Sequence, residues 1–166
     1  MSSETLFRIQ LFFGYLAWLL CFGAYIWPRL KAMDRADGHR VIATLHSFRF
    51  FGLVFILPGI VGPNLPGSFA TMAAYGDFAT GVLAILALVT VRRRPLFWSF
   101  IVAFNLVGAM DLAVDYYNAI QSGVPAMAGQ LGGAYAIVVL YVPLLVITHA
   151  AAFYLWLRPV KEHRYV

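Results

Sequence analysis

The sequence predicts an all-α fold: a polytopic integral membrane protein, one bundle of five transmembrane helices, with its N-terminus outside and its C-terminus cytoplasmic. Three observations predict it. Hydrophobic residues make up 62% of the 166 and charged residues 11%, with a mean hydropathy of +0.80, against roughly half and a quarter in a soluble domain. Apolar runs long enough to cross a hydrocarbon core recur at about residues 7–27, 41–60, 71–91, 96–117 and 133–157. Ten of the twelve Lys and Arg residues fall in 28–40, in 92–94 and in the tail after Leu157.

The first span follows a short polar tail and runs from Phe7 to Trp27. Gly14, Ala17, Cys21 and Ala24 recur at steps of three and four, a stripe that lets a neighbouring helix come close. Tyr25 and Trp27 read as interfacial anchors, and Pro28 as the helix stop. No small-residue cleavage signal precedes Pro28, so the run reads as a retained helix and not a signal peptide. Cys21 is the one cysteine, which excludes a disulfide within the chain and any Cys-x-x-Cys motif. In an apolar run it reads as an inert packed thiol.

The loop Pro28–Arg40 sets Arg29, Lys31, Arg35 and Arg40 against Asp34 and Asp37. The second span, Val41–Ile60, is the most informative stretch, because it carries His46 and Arg49. An arginine inside a membrane segment costs at least a few kcal/mol unless paired or watered, so it marks a polar interior. Val61–Ser68 breaks the helix with Gly62, Pro63, Pro66 and Gly67. That uncharged segment lies in the interface, or folds back where its backbone groups find partners. The third span, Thr71–Val91, has a second stripe in Ala74, Asp77, Gly81 and Ala84, and ends at three arginines before Pro95. Leu96–Tyr117 is the fourth span, Asn118–Gly129 an uncharged loop, and Gly133–Leu157 the fifth, interrupted by Pro143.

Five crossings put all three basic segments on one side and only Arg8 on the other. By the positive-inside rule the basic side is cytoplasmic, and a bacterial inner membrane is the expected location. A four-span chain would split the basic segments between the two faces. The same clustering beside apolar spans argues against nucleic-acid binding, despite a net charge of +5.

Depth follows at 1.5 Å per residue. His46, Arg49, Asn105 and His149 fall in one layer on three helices, while Asp77, Asp111 and Asp115 lie nearer the outer side with Tyr116 and Tyr117. His46 and Arg49, at i and i+3, share a face, and Asn105, Gly108, Asp111 and Asp115 form one stripe. Arg49 is long enough to reach Asp111, a partner that would offset its burial. Asp111 and Asp115 are like charges at i and i+4, which disfavours ionising both. They suit a proton or cation site, or a solvated outer face.

His46 and His149 are the candidate metal ligands. Two histidines on different helices at matched depth can hold a haem iron axially, as in intramembrane b-type cytochromes, with Arg49 toward a propionate, a bound carboxylate or a quinone carbonyl. The plainer reading is a pair of interhelical hydrogen bonds. A zinc site would need the acids closer. Asp34-x-x-Asp37-Gly38 and Asp111-x-x-x-Asp115 resemble parts of the aspartate motif of the CDP-alcohol phosphotransferases, but that motif is nearly continuous and on one side, whereas these fall on opposite faces. No span contains a lysine, which excludes a retinal Schiff base.

The expected function is that of a small inner-membrane protein with an intramembrane polar ligand site formed by the second, fourth and fifth spans. Haem b with a redox or electron-transfer role is the version to test first. A proton-coupled transporter or channel subunit is the second, and an accessory subunit of a membrane complex the third. The expected partners are the bilayer, a lipophilic or small-molecule ligand, and further copies or subunits.

Overall fold

An apolar chain in a bilayer must satisfy its backbone polar groups within itself, which favours helices. The computed structural model describes residues 1–158, and among the described residues there is no strand. The basic tail expected on the cytoplasmic side falls largely on 159–166, outside the described residues. Helix α1 runs Ser3–Ala32, α2 Arg35–His46, α3 Gly67–Val89, α4 Arg94–Gln121 and α5 Ile137–Leu157. Four of these, α1, α3, α4 and α5, are long and apolar enough to cross a membrane.

The predicted second helix has a different form. It is α-helical only to His46 and continues as a 3₁₀ helix over Ser47–Ile56, turning out at Leu57. Runs of 3₁₀ beyond three or four residues are uncommon. With three residues per turn, His46, Arg49, Gly52 and Phe55 stack in one row, and all four are buried. The row faces α3, where Gly81 lets the backbones meet: a Cβ there would stand 2.9 Å from the Phe50 nitrogen.

α1 also departs from its predicted pattern. Pro28 does not end it. A π-helical turn over Phe22–Ile26 precedes the proline and absorbs its missing donor, and the helix runs on to Ala32. Of the predicted stripe only Gly14 makes a close approach, against the Val139 carbonyl, while Ala17 and Ala24 face outward. Trp18 Nε1 donates to the Leu140 carbonyl at 2.7 Å, where α5 has its own π turn over Ile137–Tyr141. The stripe on α3 is buried as predicted, with Ala70, Ala73, Thr80 and Ala87 added to it.

The two uncharged loops pair with each other. Gly62 N–H donates to the Gln130 carbonyl at 2.7 Å and Gly133 N–H to the Ile60 carbonyl at 3.0 Å, so 61–68 folds back with its backbone partnered. Gly132, at φ 52°, fits where a side chain would strike Ile60. At the opposite end Arg158 donates to the Met33 and Lys31 carbonyls at 2.7 and 2.9 Å, bringing the basic corners together. One apolar cluster, including Leu30, Phe97 and Leu155, fills the basic end; another, including Phe55, Phe69 and Leu131, fills the loop end. The polar residues lie between them.

Candidate functional site

Arg49 is the centre of this middle layer and has no exposed surface. Its row on the 3₁₀ helix points it at three helices at once. Nε donates to Asp77 Oδ1 of α3 at 2.6 Å, and Nη2 donates to Asp111 Oδ2 of α4. Nη1 lies 3.3 Å from both the Gly108 carbonyl and His149 Nε2. A guanidinium desolvated this fully is tolerable only when its donors are met by charge and by carbonyls together.

The network continues through His149. Asn105 Nδ2 donates to the Ile101 carbonyl at 2.8 Å, which leaves its oxygen as acceptor for His149 Nδ1–H at 3.1 Å. That bond assigns the tautomer in which His149 Nε2 accepts from Arg49. Next to His149 in the chain, Thr148 Oγ1 donates to the Leu144 carbonyl at 2.8 Å and accepts from His46 Nε2 at 3.0 Å. His46 Nδ1 is then a buried acceptor with no partner among the described residues, and so is Asp115 Oδ1.

Glycines make the room. A Cβ on Gly108 would stand 2.7 Å from both Arg49 Nη1 and His149 Nε2. A Cβ on Gly76 would overlap Asp111, and one on Gly52 would overlap Asp77. These positions hold the carboxylates and the guanidinium in the space that a side chain would fill.

Several sequence expectations meet in this arrangement. Arg49 reaches Asp111, and Asn105, His149 and His46 share its layer. Asp77, from the same group as Asp111, is a second direct partner of Arg49. Asn105 bonds His149 and not the arginine. Asp115 lies one turn beyond Asp111, half-buried and outside the hydrogen-bonded network. Thr148, Gly76 and Gly52 were missed. Thr148 stands beside His149 in sequence, but no spacing rule marks Gly76 or Gly52 as facing a carboxylate.

The chain belongs to the DUF8737 family. The family's model, described as a domain of unknown function, matches residues 6–157. No curated protein and no solved structure matches the chain.

The histidine geometry bears on haem. The His46 and His149 ring centres are 4.2 Å apart. With metal–nitrogen bonds of about 2 Å, axial imidazoles hold their ring centres roughly 6 Å apart with the porphyrin between them. His149 has both nitrogens engaged and His46 has one. In this packing the two rings stand closer than a pair of axial haem ligands.

Asp111 also faces outward. A groove of about 1030 Å³ runs along α3 and α4, walled by Met72, Tyr75, Leu106 and Met110, with Gly76 and Asp111 among its lining residues. The arrangement is an apolar trough whose one charged group belongs to the Arg49 network.

Proposed function

We propose that this chain is a small integral membrane protein with an intramembrane ligand site, and that the ligand is a lipophilic molecule whose head group carries a positive charge or a hydrogen-bond donor. It enters from the bilayer along the α3–α4 groove and meets Asp111. The observation that carries this reading is the position of Asp111, which is bonded to the fully buried Arg49 and also lines the groove. Three carboxyl groups, Asp77, Asp111 and Asp115, share the neighbourhood of one guanidinium, so a cation or donor matches the acidic excess better than an anion does. Arg49 has its donors already engaged and is the clamp, not the ligand's partner.

The topology that goes with this site is five crossings, N-terminus outside, in a bacterial inner membrane. Val41–His46 at 1.5 Å per residue and Ser47–Ile56 at 2.0 Å per residue together reach roughly 29 Å, close to a hydrocarbon core. The basic corners meeting at one end and the uncharged loops at the other supports the same count. Single cysteines at Ser2 and Arg93, in a Cys21→Ala background, label from opposite sides with an impermeant maleimide; labelling from one side would overturn five crossings.

The ligand reading is tested with tetraphenylphosphonium as the probe. It raises the thermal midpoint of the detergent-purified protein, and Asp111→Asn removes the rise. An equal rise in Asp111→Asn, or none in the parent, would refute it. Proton-coupled transport is a second reading, favoured by the Asp115 oxygen one turn beyond Asp111, which has no partner among the described residues. It predicts proton flux in liposomes that Asp115→Asn reduces. A Soret band in the purified protein would favour haem b as the ligand instead.

A further inference from the structure

The second large cavity lies at the other end of the molecule. It is a cleft of about 1000 Å³ into which three separate segments bring six cations: Lys31, Arg35, Arg40, Arg92, Arg94 and Arg158. Only two carboxylates, Asp34 and Asp37, line it with them. We propose that this cleft binds the phosphate of an anionic lipid head group.

Both acids are already committed. Asp34 Oδ1 accepts from the Asp37 backbone N–H at 2.9 Å as the cap of α2, and that bond holds its carboxyl below the usual range. Asp37 pairs with Arg40 at 2.8 Å. Arg158 and Arg35 serve the backbone: Arg158 donates to Lys31 and Met33, and Arg35 donates to the Arg158 carbonyl. Lys31 lies 5.5 Å from the Trp27 ring centre. Arg92 and Arg94, from the α3–α4 corner, have no side-chain hydrogen bond or ion pair among the described residues. They line the same cleft as the 31–40 corner. Such a concentration of cations around a concave space suits an anion.

The other walls say which anion source fits. Val91, Phe97 and Trp98 line the same cleft. Phe97 is fully buried and Trp98 partly so, their rings 5.2 Å apart. The cleft is therefore lined by cationic and apolar groups together, and it lies where α3 ends and α4 begins. A soluble phosphate uses only the first. A phospholipid uses both, placing its phosphate among the arginines and its glycerol and upper chains along the apolar wall. Basic pockets between helix ends are a recognised form of anionic-lipid site. The positive-inside rule asks only for cations somewhere on this side, not for their convergence on one cleft.

The test uses the full chain in nanodiscs of phosphatidylcholine with and without phosphatidylglycerol, with bound lipid counted by native mass spectrometry. The parent retains phosphatidylglycerol in preference to phosphatidylcholine. Arg92→Gln and Arg94→Gln each lower that preference roughly fivefold, with the thermal midpoint in pure phosphatidylcholine unchanged. Arg29→Gln removes a cation from the same end but outside the cleft, and leaves the preference intact. Equal loss in Arg29→Gln would reduce the effect to general surface attraction and overturn the site. No preference in the parent would also overturn it. Saturation by soluble glycerol phosphate without any lipid preference would overturn the lipid source and leave a soluble phosphate in its place.

Discussion

Arg49–Asp77 and Arg40–Asp37 are ion pairs of similar length, 2.6 and 2.8 Å, in opposite surroundings. Both side chains of the second pair are about half exposed, whereas Arg49 is completely enclosed. Water competes for every donor of the exposed pair, so its net worth is small. Around Arg49 nothing but the protein can satisfy the charges, so removing one partner strands the others. Similar chemistry is thus open to solvent at the basic end and enclosed in the middle layer. The contrast in energy comes from solvent access and not from distance.

The largest effect is expected at Arg49. Arg49→Ala leaves Asp77 and Asp111 buried without their cation, and stability in detergent falls by about 3–5 kcal/mol. Adding Asp111→Ala costs less than the sum of the single changes, because the stranded acid is gone. Strict additivity would break the comparison at its strong end.

Gly76→Ala and Gly108→Ala come next. Each pushes a methyl group into a pinned charged group, at a cost of about 1–3 kcal/mol. Gly23→Ala, which meets nothing nearby, leaves stability unchanged or slightly raised by helix propensity. A similar loss at all three glycines in thermal unfolding would show that the room they leave is incidental to the network.

His39 offers a sharper look at the basic end. It is buried edge-on to Trp98, at 5.4 Å between ring centres, with neither nitrogen hydrogen-bonded among the described residues. Burial first, then Arg35 and Arg158, push its pKa from 6.5 down to about 4. The unfolded chain therefore takes up a proton that the folded chain refuses, and stability falls as pH drops from about 6.5 toward 4. His39→Leu flattens that part of the profile. An unchanged slope would mean that His39 is reached by water. The smallest effect is Arg40→Ala, within about 1 kcal/mol, read by the same unfolding measurement.

Much of the site was legible because burial of charge is so costly in an apolar chain. His46 and Arg49 at a spacing of three, and the stripe from Asn105 to Asp115, marked the inward faces of their helices before any packing was known. The pairing of Arg49 with Asp111 followed from reach alone. The pairing of Arg49 with Asp77 was not legible in the same way, because it depends on how the 3₁₀ segment packs on α3 and not on any spacing within one helix. The fit of Gly76 and Gly52 to carboxylates on other elements left no local pattern to read.

By itself the sequence determined an apolar helical chain, its basic corners, and the charged residues that must turn inward, because these depend on composition and on the cost of moving charge out of water. Only the tertiary structure decided the 3₁₀ form of Ser47–Ile56, the double clamp on Arg49, the 4.2 Å approach of His46 to His149, and the convergence of the basic segments on one cleft. Those depend on how closely one backbone can approach another. In the middle layer that distance is set by glycines such as Gly81 and Gly108 on facing helices, and no single helix carries it in its own pattern.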